Sequence, residues 1–170
     1  MKTLAIGPVS RVDGVVSLPC SKSIANRALL LSAVARGETC LDNLTLNDDV
    51  SYMLDALGKL GVSLSFEKDT ASCRIVGCDG GFPVEQADLY LGNAGTVMRP
   101  LCAMLAFQSG TFSLSGEPRM CERPIADLVN ALKGLGAKII YDGKEGYPPV
   151  RILPSEITSR RAIVEGGVSS

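Results

Sequence analysis

The feature that most constrains this 170-residue chain is that it repeats itself. Residues 50–61 and 125–136 align at an offset of 75 without a gap. Val50, Met53, Leu54, Leu57 and Leu60 match Ile125, Leu128, Val129, Leu132 and Leu135. Both sets fall at i, i+3, i+4, i+7 and i+10, one face of an amphipathic helix. Gly61 and Gly136 close the two stretches, as the left-handed position after a helix favours.

The likeness extends outward from this helix. Strands are predicted over 15–18, 38–41, 62–66 and 73–76 in one unit, and over 89–91, 111–115, 137–141 and 150–153 in the other. A more apolar helix precedes each amphipathic one, over 24–35 and 97–107. Each unit therefore reads βαβαββ, an α/β (α+β) arrangement. The first helix of each unit is apolar nearly all round and belongs inside the core. A third unit begins at 162–164. Stacked units that share a core seldom end just after the first strand of a new one, so the sequence reads as a fragment or as one piece of a split protein.

Hydrophobic residues make up 46% and charged residues 21%, the balance of a folded globular chain. The net charge of −1 argues against a broad nucleic-acid surface but leaves room for a small cationic pocket. With no His, histidine metal sites and Ser-His or Cys-His catalysis within the chain are excluded. No apolar run reaches the ~18–20 residues of a membrane helix, and the first ten residues make a poor signal peptide. Six cysteines without Cys-x-x-Cys spacing read as reduced thiols of a cytoplasmic protein.

The chemistry is concentrated in the turn between the first strand and the buried helix of each unit. Unit one has Ser21, Lys22, Ser23 and Arg27 there, unit two has Gly92, Asn93, Gly95, Thr96 and Arg99, and the third has Ser169 and Ser170. Small and hydroxyl residues at a helix start leave backbone N–H groups free to meet an anion, and the helix dipole favours it. Lys22 adds a point charge, while Arg27 and Arg99 can reach back as bidentate donors. The plainer alternative makes Ser21, Ser23 and Thr96 simple N-caps, Gly92 and Gly95 turn glycines, and the arginines partners of structural carboxylates. Arg123, followed by Pro124, marks the start of the second helix of unit two, with Pro in its first turn. Arg119 pairs locally with Glu117 or Glu122. In unit one Asn47 or Asp48 caps the helix and Asp49 enters its first turn, the alternative being a catalytic carboxylate there.

Three stretches, LPCSKSIANRALLLSAVARGET, LYLGNAGTVMRP and GEPRMCERPIADLVNALKGLGA, with NDDVSYMLDALGKLGV between the first two, resemble the 5-enolpyruvylshikimate-3-phosphate synthase family. The resemblance runs over nearly the whole chain. It implies a two-lobed enzyme, each lobe built from three βαβαββ units with mixed sheets outside, residues 1–19 being associated with the second lobe and 20–170 forming part of the first. It implies joining of shikimate 3-phosphate to phosphoenolpyruvate with release of phosphate, no cofactor and no metal. On that resemblance Lys22, Asn93, Gly95, Arg99 and Arg123 hold phosphoenolpyruvate. Lys22, Ser23, Arg27, Ser169 and Ser170 hold shikimate 3-phosphate, and Thr96 shapes the turn. Lys22 assists catalysis through its charge. The principal acid–base groups come from the second lobe, so the chain alone is expected to be inactive. A methyl added at Gly95 is expected to crowd compounds larger than phosphoenolpyruvate. Cys20 stands where the family usually has Gly; if that position required positive φ, the turn holding Lys22 would be strained. Cys121 occupies a position that is often basic in the family.

Overall fold

The two matched stretches become helices, each stopped by its glycine. The structure, a computed structural model, describes residues 3–16 and 18–164. In unit one, α1 (Lys22–Val34), β1 (Arg36–Leu41), α2 (Asp48–Lys59), β2 (Ser63–Glu67) and β3 (Ser72–Cys78) follow in order. Unit two has β4 (Gln86–Tyr90), α3 (Gly95–Leu105), β5 (Thr111–Ser115), a short 3-10 turn over Met120–Glu122, α4 (Ala126–Leu135), β6 (Lys138–Tyr141) and β7 (Val150–Leu153). Gly136 ends α4 at φ 112°. Gly61, at φ 85°, follows the last turn of α2.

The helices bury the faces their spacing marks out: Val50, Met53, Ala56 and Leu57 on α2, Val129, Ala131 and Leu132 on α4. Strand alternation does the same in two dimensions. Phe112 and Leu114 of β5 point inward with Val150 and Ile152 of β7, as Cys73 and Ile75 of β3 do in unit one. One sheet runs β1-β3-β2 and is antiparallel throughout. The other runs β4-β5-β7-β6, with β4 parallel to β5 and the remaining pairs antiparallel. Thus β1, β3 and β2 repeat the arrangement of β5, β7 and β6. A single apolar core passes through both units, with α1 packed on α2, α3 and β3.

Four expectations need correction. Residues 15, 16 and 18 form no strand, and Val15, Val16 and Leu18 are exposed. In unit two β4 is held by parallel pairing with β5, Leu89 opposite Leu114; in unit one the matching edge of β1 takes no partner among the described residues, and the exposed side chains of Val15, Val16 and Leu18 gain no apolar burial that would hold a strand there. Residues 162–164 likewise form no strand. Pro124 precedes α4 altogether, because Ile125 is its N-cap. Finally, α1 is buried on one side only, while every residue of α3 is buried or half-buried. Leu31 is 62% exposed and Phe107, just beyond α3, 54%. They border an apolar groove of about 310 Å³ with Leu30, Pro100, Ala103 and Met104.

Candidate functional site

The starts of α1, α2 and α3 meet at one place. Lys22 is the first residue of α1, Asp49 the second of α2 and Thr96 the second of α3. Lys22 Nζ lies 3.3 Å from Asp49 Oδ2. The Thr96 hydroxyl donates to the same oxygen at 2.6 Å. Behind it, Asn26 Nδ2 donates to Thr96 Oγ1 at 2.9 Å.

Among the described residues α2 alone of the four α-helices is capped by a side chain. Val50 N donates to Asn47 Oδ1 at 3.1 Å, and Asp48 and Asp49 fill the first turn, as their positions in the sequence suggest. Neither Ser21 nor Ala94 caps its helix with a side chain. The hydroxyls that might have been plain caps are therefore spent elsewhere or left available. Gly95 N donates to Asn93 O at 3.1 Å, whereas the N–H groups of Lys22, Ser23 and Thr96 take no backbone acceptor among the described residues and remain donors with the positive end of a dipole behind them.

Beside this junction Ser23, Arg27, Gly95, Thr96, Arg99, Pro100 and Arg123 line a hollow of about 340 Å³. Each arginine is fixed by a backbone carbonyl. Arg27 Nε donates to Ser23 O at 2.9 Å, Arg99 Nη2 to Pro124 O at 2.9 Å, and Arg123 Nη1 to Asn93 O at 3.2 Å. Among the described residues no carboxylate lies within ion-pairing distance of Arg27, Arg99 or Arg123. Among the described residues the structural-carboxylate alternative thus finds no partner for Arg27 or Arg99. Burial pulls the Arg99 guanidinium below its ordinary pKa, and the charge of Arg123 adds to the effect. Two guanidinium groups held so close raise the local positive potential, which an anion would relieve. Arg119, by contrast, pairs with Glu122 at 2.7 Å on the surface.

The glycines have distinct tasks. Gly92 sits at φ 53°, and a Cβ there would overlap the Tyr52 ring. Gly95 has no unusual φ. A Cβ on it would stand 2.5 Å from Arg123 Nη2, so its bare Cα is what lets that guanidinium lie across the start of α3. Pro100, inside α3, lacks the N–H that would bond the Thr96 carbonyl. Cys20 does not have positive φ and packs against the core, so the turn before Lys22 accommodates it without strain. Cys121 is partly buried.

Of the residues singled out in the sequence, Ser23, Arg27, Gly95, Thr96, Arg99 and Arg123 share the hollow. Lys22 does not line it and joins through Asp49, while Asn93 contributes its carbonyl to Arg123. Ser169 and Ser170 lie outside the described residues. Sequence reasoning missed Asn26, and it weighed Asp49 as a first-turn residue or a catalytic carboxylate but not as a partner of Lys22. The available signal for Asn26 was a polar residue among apolar ones on the buried face of α1. Among the described residues no helix is long and apolar enough to cross a membrane.

The family described as EPSP synthase (3-phosphoshikimate 1-carboxyvinyltransferase) matches residues 6–170. A 3-phosphoshikimate 1-carboxyvinyltransferase of Paraburkholderia phymatum is 53% identical over 100% of this chain and 39% of its own length. One of Tolumonas auensis is 50% identical over 100% of this chain and 40% of its own. The solved EPSP synthase of Acinetobacter baumannii superposes with a TM-score of 0.78 at 29% identity, covering 85% of this chain and 33% of that one. This chain therefore spans about two fifths of the curated relatives it matches. A match that takes in the βαβαββ repeat and all three polar clusters places the chain in the EPSP synthase family.

Proposed function

We propose that the chain supplies the first-lobe side of an enolpyruvyl transferase site, which joins shikimate 3-phosphate to phosphoenolpyruvate and releases phosphate. The observation that carries this reading is the 340 Å³ hollow faced by three guanidinium groups without acidic partners among the described residues. Both substrates carry a phosphate and a carboxylate, and converging cations with uncapped helix starts are what such anions require. Lys22, Arg99 and Arg123, with Asn93 and Gly95, hold phosphoenolpyruvate. Ser23 and Arg27, with Lys22, Ser169 and Ser170, hold shikimate 3-phosphate.

The reaction is addition followed by elimination. The 5-hydroxyl oxygen bonds to C2 of the enolpyruvyl group while C3 gains a proton. Phosphate then leaves C2 as C3 returns a proton, restoring the double bond. These steps need a proton donor and a base placed at C3 and the hydroxyl. The hollow is lined by cations, hydroxyls and small residues, which bind and orient, and Lys22 contributes charge. The acid–base groups belong to a second lobe, supplied in the same chain or by a partner. Six unpaired cysteines accord with a reducing, cytoplasmic setting.

The test mixes both substrates with the 170-residue chain and follows phosphate release. No turnover is expected until the second lobe of a relative is added, whereupon release resumes. Turnover by the chain alone would overturn its assignment as half of a site.

A further inference from the structure

We propose that Asn26 and Thr96 are positioning residues for Lys22, acting through a hydrogen-bond relay that ends on Asp49. This rests on the reading of Lys22 as an anion-binding residue. The direction of the relay is set by chemistry. Asp49, a carboxylate with its side chain 16% exposed, only accepts, so at 2.6 Å the Thr96 hydroxyl spends its proton there. Thr96 Oγ1 is then an acceptor for anything else, and the Asn26 amide must present its NH2 face to it.

Asn26 is fully buried in α1, and its Oδ1 has no partner. A buried carbonyl left unpaired is destabilising, so the position is used for its donor alone. An apolar residue would pack there with no orphaned atom but would leave the Thr96 hydroxyl free to turn. As it stands, Asn26 orients Thr96, Thr96 holds Asp49 Oδ2, and the same oxygen anchors Lys22 Nζ at 3.3 Å. Lys22 is itself 57% exposed, and a lysine so placed samples many rotamers unless something holds its ammonium. The relay ties the starts of three helices to a flexible cation beside the hollow.

The experiment measures the NMR order parameter of lysine Cε in the ligand-free chain, with Lys59, which pairs with Asp55 on the surface, as internal control. Thr96→Val should lower the order of Lys22 and leave Lys59 unchanged. Thr96→Ser, which keeps the hydroxyl, should restore it. Asn26→Leu removes the donor and is read in the same way should Thr96→Val not fold. Titration with phosphoenolpyruvate, followed at Lys22 Cε, should show binding weakened about 10-fold in Thr96→Val and within about twofold of the parent in Thr96→Ser, the scale of one charge-assisted bond. Unchanged Lys22 order in Thr96→Val and Asn26→Leu would overturn the relay. A parent chain completed by its second lobe whose Lys22 ignores phosphoenolpyruvate would instead overturn the assignment of Lys22 to that substrate, while the order parameters still decide the relay.

Discussion

Arg99 and Arg123 show how much one glycine decides. Their guanidinium groups are close enough for each to feel the other's charge, and Arg123 reaches its place by crossing the bare Cα of Gly95. From the sequence, a methyl at Gly95 was expected to crowd large ligands directly. In the structure the first thing that methyl meets is the protein's own Arg123, 2.5 Å away. A flexible side chain can give way, so Gly95→Ala should fold and should displace the guanidinium. In the completed enzyme, phosphoenolpyruvate affinity should fall about tenfold, the equivalent of one weakened charge-assisted bond. A bulkier phosphonate competitor, meeting both the methyl and the moved arginine, should lose more. Titrations of both compounds check this, and equal losses would point to Arg123 alone. Arg27 and Arg99 were legible as a pair, since each guanidinium interrupts an apolar helix, whereas Arg123 stood out only by its place before Pro124 at a helix start. Asn26 was not, because an amide in such a helix is equally compatible with several local hydrogen bonds.

At the scale of elements, helices that look alike in the sequence begin in different ways. The start of α2 is closed by Asn47 and by two aspartates, whereas α1 and α3 begin with no side-chain cap. Stability and function separate on this distinction. Asn47→Ala should cost about 1 kcal/mol in urea unfolding, the usual value of a cap. Ser21→Ala should cost less than about 0.5 kcal/mol, since its side chain caps nothing. If the two cost the same, the uncapped start of α1 is not present in solution. The positions of the helices could be read because apolar residues recur with the helical period, a local property. Residues 15, 16 and 18 have strand composition and still form no strand, since a strand holds on a sheet edge only where pairing also buries an apolar face, and their side chains are exposed.

For the whole molecule, the core that joins the two units also controls its response to pH. Cys102 of α3 lies wholly inside it, and burial pushes its thiol up to about 12. In the unfolded chain the same thiol ionises near its ordinary pKa of 9.0. Above that pH the unfolded state gives up a proton that the folded state keeps. Stability should therefore be constant below pH 9 as far as this group is concerned, and should decline as pH rises toward 12. Cys73, Cys78 and Tyr141 are raised by burial in the same direction and steepen the fall. Urea midpoints measured from neutral pH upward should drop in the parent and less steeply in Cys102→Ala. A parallel decline in the two would remove Cys102 from the account.

What the sequence determined by itself is the repeat, the order of its helices and of the strands between them, and the polar turns in which chemistry gathers. Those properties rest on spacing among residues a few positions apart. Only the tertiary structure decided which of those turns meet and what each side chain does there. Asn26 and Thr96 are 70 residues apart, and Thr96 and Asp49 are 47 apart. No local period links them. They meet because packing α1 on α2 and α3 buries apolar faces far larger than the relay itself, and that burial brings three helix starts within hydrogen-bonding distance of one another.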